Sequence, residues 1–185
     1  MKQKTRIFLF TLSVLVFSGT LSAQENFAGY AIAPQVGAYI ANNADQMGFS
    51  AGLKASGITR RLLISASYNY GEEWLFLGDG PERQFNQLAA LFGTYNDFGR
   101  IFRLEYQAGL SAFWGTKHTE YHSTSFLDGY YDIETYEVVG FNAEVGAVFV
   151  PKKYFGFGFH FQFDLNEVQS ISQFLISVSF GKLKK

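Results

Sequence analysis

The sequence predicts an all-β protein, an eight-stranded antiparallel up-and-down transmembrane β-barrel preceded by a cleaved signal peptide. Three observations predict it. The stretch YFGFGFHFQFDL sets Phe155, Phe157, Phe159, Phe161, Phe163 and Leu165 against Gly156, Gly158, His160, Gln162 and Asp164. Successive side chains of a strand point to opposite faces, so one face here is wholly apolar and the other small or polar. Seven further segments carry the same period, at about the ten residues a tilted strand needs to cross hydrocarbon. The opening of the chain reads as an export address.

In chain order, Lys2, Lys4 and Arg6 form a basic start, Ile7 to Phe17 an apolar run, and Ser18 to Ala23 a small-residue exit with cleavage after Ala23. The run is too short to span a bilayer, so it reads as a signal peptide over 1–23 followed by a barrel domain over 24–185. The first strand, Phe27 to Ile40, sets Tyr30, Ile32, Pro34, Val36, Ala38 and Ile40 against Ala31, Ala33, Gln35, Gly37 and Tyr39. Asn42 to Gln46 is turn chemistry. The second strand opposes Phe49, Ala51, Leu53 and Ala55 to Ser50, Gly52, Lys54 and Ser56, and Gly57 to Arg61 is a tight connection. The third, Leu62 to Tyr70, opposes Ile64, Ala66 and Tyr68 to Leu63, Ser65, Ser67 and Asn69.

Gly71 to Arg83 reads as a longer loop with four acids and the apolar cluster Trp74, Leu75, Phe76 and Leu77. The fourth strand, Gln84 to Tyr95, has the weakest register, since LAALF also fits a helical turn; Asn96 to Arg100 follows as a short turn. Strand five turns Phe102, Leu104, Tyr106, Ala108, Leu110, Ala112 and Trp114 one way and Arg103, Glu105, Gln107, Gly109 and Ser111 the other. Gly115 to Asp132 is the longest expected loop and includes Tyr121, Phe126, Leu127, Tyr130 and Tyr131. Strand six, Ile133 to Val150, opposes Phe141, Val145 and Phe149 to Asn142, Glu144, Gly146 and Val148. Pro151 to Lys153 turns into the seventh strand, Asn166 to Ser170 is the last turn, and strand eight sets Phe174, Ile176, Val178 and Phe180 against Gln173, Leu175, Ser177 and Ser179. The GKLKK tail is expected to trail off.

Composition narrows the class. Removing the three basic residues of the signal lowers the formal charge from -1 to -4, which is no footprint for nucleic acid. With no cysteine, an exported protein of this size must be held by burial or ladder hydrogen bonds. Charged residues are 17% and aromatics 18%, with 21 Phe and 11 Tyr, so the chain needs an apolar solvent or a very large core.

A soluble lipid-binding barrel has the same period, so the polar face decides. A face washed by water carries many Lys and Glu, whereas mid-strand positions here are Gly, Ser, Asn and Gln. The ionisable ones are Lys54, Arg103, Glu105, Glu144, His160 and Asp164. That set describes a packed interior, with the apolar face in lipid. An eight-stranded barrel is just wide enough to be filled by side chains. The expected lumen network has Arg103 and Lys54 bridging Glu105, Glu144 and Asp164.

Charge is also sorted along the barrel axis. Arg60, Arg61, Arg100, Lys152, Lys153, Lys182, Lys184 and Lys185 fall at the short turns and the tail. Asp45, Glu72, Glu73, Asp79, Glu82, Glu120, Asp128, Asp132 and Glu167 fall on the opposite connections. Loop solvation explains this simply; contact of the basic turns with anionic headgroups explains it more specifically.

With strand count, export signal and loop asymmetry together, the stretch from Phe27 to Phe180 resembles the small outer-membrane β-barrels of Gram-negative bacteria, of the OmpX and OmpA transmembrane-domain type. The resemblance implies an integral outer-membrane, porin-like envelope protein exposed at the cell surface, with outer-membrane lipids as its solvent. It also implies the barrel-assembly machinery as a partner during biogenesis, reading Phe180 as the terminal aromatic, although five residues follow it.

Chemistry is sparse. Some barrels of this size resemble lipid A deacylases or palmitoyltransferases; the deacylase pattern sets His and Ser two apart on one strand face with a Glu on the neighbour. His160 is followed two on by Gln162, and His122 directly by Ser123, so only His122, Ser123 and Asp128 remain as loop positions for such an enzyme. His118, Glu120 and His122 suggest a metal, yet in a strand the two imidazoles stand roughly 13 Å apart, too far for one ion. GFGFHF lacks the third glycine and following helix of a dinucleotide loop. No cofactor, metal or catalytic residue is therefore expected. The apolar loop residues Trp74, Leu75, Phe76, Leu77, Tyr121, Phe126, Tyr130 and Tyr131 extend an aromatic girdle or form a surface for a protein partner. The expected function is non-enzymatic, in envelope structure or surface interaction; a lipid-modifying barrel enzyme is second, and a soluble periplasmic lipid-binding barrel third.

Overall fold

The alternation of apolar with small or polar residues is what the backbone obeys. In the computed structural model eight antiparallel strands form a closed barrel in simple sequence order, with β8 returning to β1. They are β1 Phe27–Ala41, β2 Gln46–Thr59, β3 Leu62–Glu73, β4 Gln84–Phe98, β5 Phe102–Ser125, β6 Asp128–Lys152, β7 Phe155–Leu165 and β8 Ile171–Lys182. The structure describes residues 27–41, 46–60, 62–73, 84–125 and 128–184. The expected signal peptide lies outside them, as do Trp74, Leu75, Phe76, Leu77, Phe126 and Leu127.

The apolar face is outside. Phe159 is 65% exposed and Phe174 68%, whereas Gln162 and Gln173 on the same strands are 1% and 0% exposed. In water, exposing so much phenylalanine would forfeit about 25 cal/mol for every Å² left unburied. Hydrocarbon removes that penalty, and closure leaves no strand edge unpaired in it. A soluble barrel packing its phenylalanines around a central axis is thereby overturned.

Several boundaries differ from the sequence reading, in one direction: strands run further than expected. Gly57–Thr59 belong to β2, Gly71–Glu73 to β3, Asn96–Phe98 to β4 and Pro151–Lys152 to β6. The LAALF segment is strand, paired with β3 and β5. The largest correction is the expected loop Gly115 to Asp132. β5 and β6 continue through it as one hairpin, paired from Phe102↔Phe149 to Ser125↔Asp128 with register shifts after His118 and Ser123. Beyond Gly115↔Phe85 on one side and Phe141↔Leu165 on the other, this ribbon pairs only with itself among the described residues. It reaches roughly 30 Å along the strand direction past Gly115.

The tail is a second correction. Gly181 and Lys182 still belong to β8, and Gly181 takes a φ of 140°, a conformation that suits glycine. The chain then folds under the barrel: the Leu183 N–H donates to the Lys153 carbonyl, 2.9 Å away, and the Leu183 side chain is buried with Val148 and Val150.

The core is the lumen, and both of its ends are apolar. At the end holding the long connections, Tyr39, Ala41, Phe85, Phe113 and Ile171 cluster with Tyr136 and Val138. The Tyr39 ring meets Phe85 edge-on at 4.9 Å, Phe85 stacks on Phe113 at 5.0 Å, and Phe113 on Tyr136 at 5.7 Å. Gly71, directly opposite Phe85, makes the room, because a Cβ there would overlap the ring. At the other end, where β1 begins and β8 ends, Val148, Val150, Leu183 and Ala31 form a floor.

Candidate functional site

Between these two apolar layers lies the polar filling, built from residues that the period-2 pattern turns inward. Lys54 enters from β2 between Ala33 of β1 and Ser67 of β3, small neighbours that leave its stem room. Its ammonium donates to Glu144 Oε1 and lies 3.7 Å from Glu105 Oε2. Glu144 also accepts from Gln162 Nε2 at 2.6 Å and stands 3.0 Å from His160 Nδ1. The other imidazole nitrogen meets Ser177 Oγ at 2.9 Å. His160 fits because two flanking positions are bare, Gly146 directly across the ladder to β6 and Gly158 two residues back on its own strand. A Cβ on Gly158 would lie 2.5 Å from His160 Nε2, and one on Gly146 2.7 Å from Nδ1.

Asp164 forms a separate knot. It accepts from Gln87 Nε2 at 2.8 Å, from Ser111 Oγ, from Asn142 Nδ2 at 3.4 Å and from Asn166 Nδ2 at 3.0 Å. Amides join the two knots: Asn69 Nδ2 donates to Gln87 Oε1 at 3.1 Å and to Gln162 Oε1 at 2.9 Å. Gln173 donates to Gln87 and accepts from Ser50.

Two parts of the expected network need correcting. No cation reaches Asp164 among the described residues; four neutral donors satisfy it instead. Arg103 does not cross the lumen. Its guanidinium holds Asp97 through contacts of 2.7 and 3.3 Å and lies over the Tyr95 ring, 4.2 Å from its centre. Among the described residues Lys54 is thus the cation shared by Glu105 and Glu144, with His160 and Gln162 as further partners of Glu144. The amides Asn69, Gln87, Gln162 and Gln173, which carry much of the connectivity, did not stand out beside the charges.

The lumen holds two chemically suggestive arrangements. Ser177, His160 and Glu144 line up as hydroxyl, imidazole and carboxylate, the order of a hydrolase relay. However, Ser177 is 1% exposed, Glu144 is engaged by Lys54, and apolar layers close the lumen above and below. Glu105, Glu144 and His160 also bring one ligand atom each within 4.8 Å of one another, but the Lys54 ammonium already pairs with both carboxylates. Both arrangements lie on neighbouring strands of one wall, and it is Lys54 of β2 that ties that wall to the opposite side.

Of the loop positions, His118, Glu120, Tyr121, His122 and Ser123 lie on β5, and Asp128, Tyr130 and Tyr131 on β6. Extended backbone, not a helical turn, thus carries His118 and His122.

A closed eight-stranded barrel, apolar outside and filled inside, defines the class: the chain folds as a small outer-membrane β-barrel. Neither a protein-family model nor a curated protein sequence matches it. Solved structures do match in fold. Neisserial surface protein A superposes with a TM-score of 0.63 at 11% identity, covering 82% of this chain and 96% of that one. Ail, the attachment invasion locus protein of Yersinia pestis, gives 0.56 at 10% identity, over 84% and 99% of the two chains. The N-terminal β-barrel domain of Pseudomonas aeruginosa OprF gives 0.56 at 14% identity, over 84% and 98%.

Proposed function

We propose that this protein is a non-enzymatic integral outer-membrane barrel that acts at its outer rim, presenting the β5–β6 ribbon and neighbouring connections to a protein partner or to the envelope. One observation carries the reading: the aromatic stack from Tyr39 through Phe85 and Phe113 to Tyr136 caps a lumen already filled by buried side chains. A lumen so filled offers solutes no route through it and substrates no room inside it. What it presents is its surface, and rigid scaffolds display binding segments at their rims.

The character of that rim bears on the partner. One solved form of Ail holds the heparin analogue sucrose octasulfate. The outer rim here carries exposed Asp132, Glu134 and Glu137, with Glu72 and Glu73 at the end of β3. A sulfated sugar meets like charge there, so a partner with a basic or neutral surface fits better. Insertion by the assembly machinery is part of the reading, with Phe180, 51% exposed near the end of β8, as the aromatic it engages.

The test replaces residues 117–134 by a two-residue Asn-Gly turn, which joins the paired Thr116 and Thr135, and compares pull-downs from native outer membranes. The trimmed barrel should keep heat-modifiable migration and lose the partner that the full chain captures. Identical capture by both forms would place the function elsewhere. A lipid A mass spectrum changed by one acyl chain on overproduction would favour the enzyme reading instead.

A further inference from the structure

The end of the barrel opposite the ribbon carries a feature that the outer rim does not explain. A cavity of ≈ 350 Å³ opens between the β4–β5 turn and the folded tail, its polar lining made by Arg100, Lys184 and the Asp97–Arg103 pair and its apolar side by Ile101 and Phe102. The Lys184 ammonium donates to the Arg100 and Val150 carbonyls, which fixes it on the cavity wall with one of its three N–H groups left over. The Arg100 guanidinium makes no hydrogen bond or ion pair among the described residues, while the Asp97 carboxylate is taken up by Arg103. Just outside, Phe98 is 54% exposed, Phe102 38% and Phe149 43%, so a greasy wall rises from the cationic mouth into the lipid. The surrounding rim repeats the sign with Arg60, Lys152, Lys153 and Lys182.

We infer that this cavity is a headgroup site for an anionic phospholipid of the leaflet on the short-turn side. The phosphodiester sits between Arg100 and Lys184, and the acyl chains lie along Phe98, Phe102 and Phe149. A lipid satisfies the cationic mouth and the aromatic wall at once, whereas a free phosphate uses only the first. The inference rests on the barrel lying in a membrane, and the test separates the two.

The folded barrel in an uncharged detergent is titrated with short-chain phosphatidylglycerol, with phosphatidylcholine, and with glycerophosphoglycerol lacking acyl chains, bound lipid being counted by native mass spectrometry. Phosphatidylglycerol should bind about fivefold more tightly than phosphatidylcholine, the worth of one cation at a membrane surface. Arg100→Gln should erase that preference, and Arg60→Gln, on a different turn, should keep it. Equal losses in the two variants would mean diffuse charge and overturn the site. Binding of the chainless headgroup as tightly as the lipid would make it a plain anion site and also overturn it. Failure of the wild-type chain to show heat-modifiable migration in detergent would instead count against the membrane barrel itself.

Discussion

At the residue scale the molecule turns on Lys54, the cation shared by two carboxylates in the lumen and itself 2% exposed. Removing one partner of a buried ion pair leaves the other charged and dry, which costs about 3–5 kcal/mol. Lys54→Met keeps the volume and strands Glu144 and Glu105, so equilibrium unfolding in detergent should fall by that amount, and adding Glu144→Gln should restore much of it. Arg103→Ala should cost only about 1 kcal/mol, because water solvates the carboxylate it abandons. Asp97 is 47% exposed, and the pair sits at the rim. A result in which Arg103→Ala is the more damaging would reverse this ranking. The Asp97–Arg103 pair was within reach of the sequence, since the two residues face each other across the β4–β5 hairpin once its turn is centred on Arg100. Placing the turn at Asn96 to Arg100 hid it by putting Asp97 in the turn. Gln162 with Glu144 and Asn69 with Gln87 are likewise direct cross-strand neighbours. Lys54 with Glu144 and Asn69 with Gln162 join opposite walls, and no strand pattern shows which residues meet after closure.

At the element scale β7 was legible throughout, because six large apolar residues on one phase leave no other reading. Its mid-strand Phe159 is the sharpest probe of which side is out. Phe159→Arg should destabilise the barrel by about 2–4 kcal/mol in a bilayer, the cost of a basic side chain at the membrane midplane. A neutral result, read from urea unfolding in liposomes, would mean that this face meets water. The β5–β6 ribbon was illegible for the opposite reason. TKHTEYHSTS and DGYYD are too polar to look like crossing strands, so their polarity reads as loop. The available signal was their Thr and Tyr content, which favours extended backbone wherever a partner strand exists. A ribbon standing clear of the membrane needs no apolar face.

At the scale of the whole molecule the lumen presents three barriers in series: the aromatic cap, the Lys54 and Asp164 knots, and the Val148, Val150 and Leu183 floor. The cap and floor are not legible in the strand pattern, because Tyr39, Phe85 and Phe113 occupy an inward phase that is otherwise polar and because the short basic tail carries no strand period. Their order sets what a single lesion can do. Phe113 is 0% exposed and stacked on both faces, so Phe113→Ala should cost about 3–5 kcal/mol of stability. It should nonetheless leave planar bilayers silent, because ions entering past the missing ring still meet the polar knots, whose charged groups Lys54, Glu144 and Asp164 are already engaged, and then the apolar floor. Resistances in series are set by the largest, so conductance requires all three layers to open together. Discrete current steps from the wild-type chain, or from Phe113→Ala alone, would show that the layers move as one and that the barrel is a gated pore.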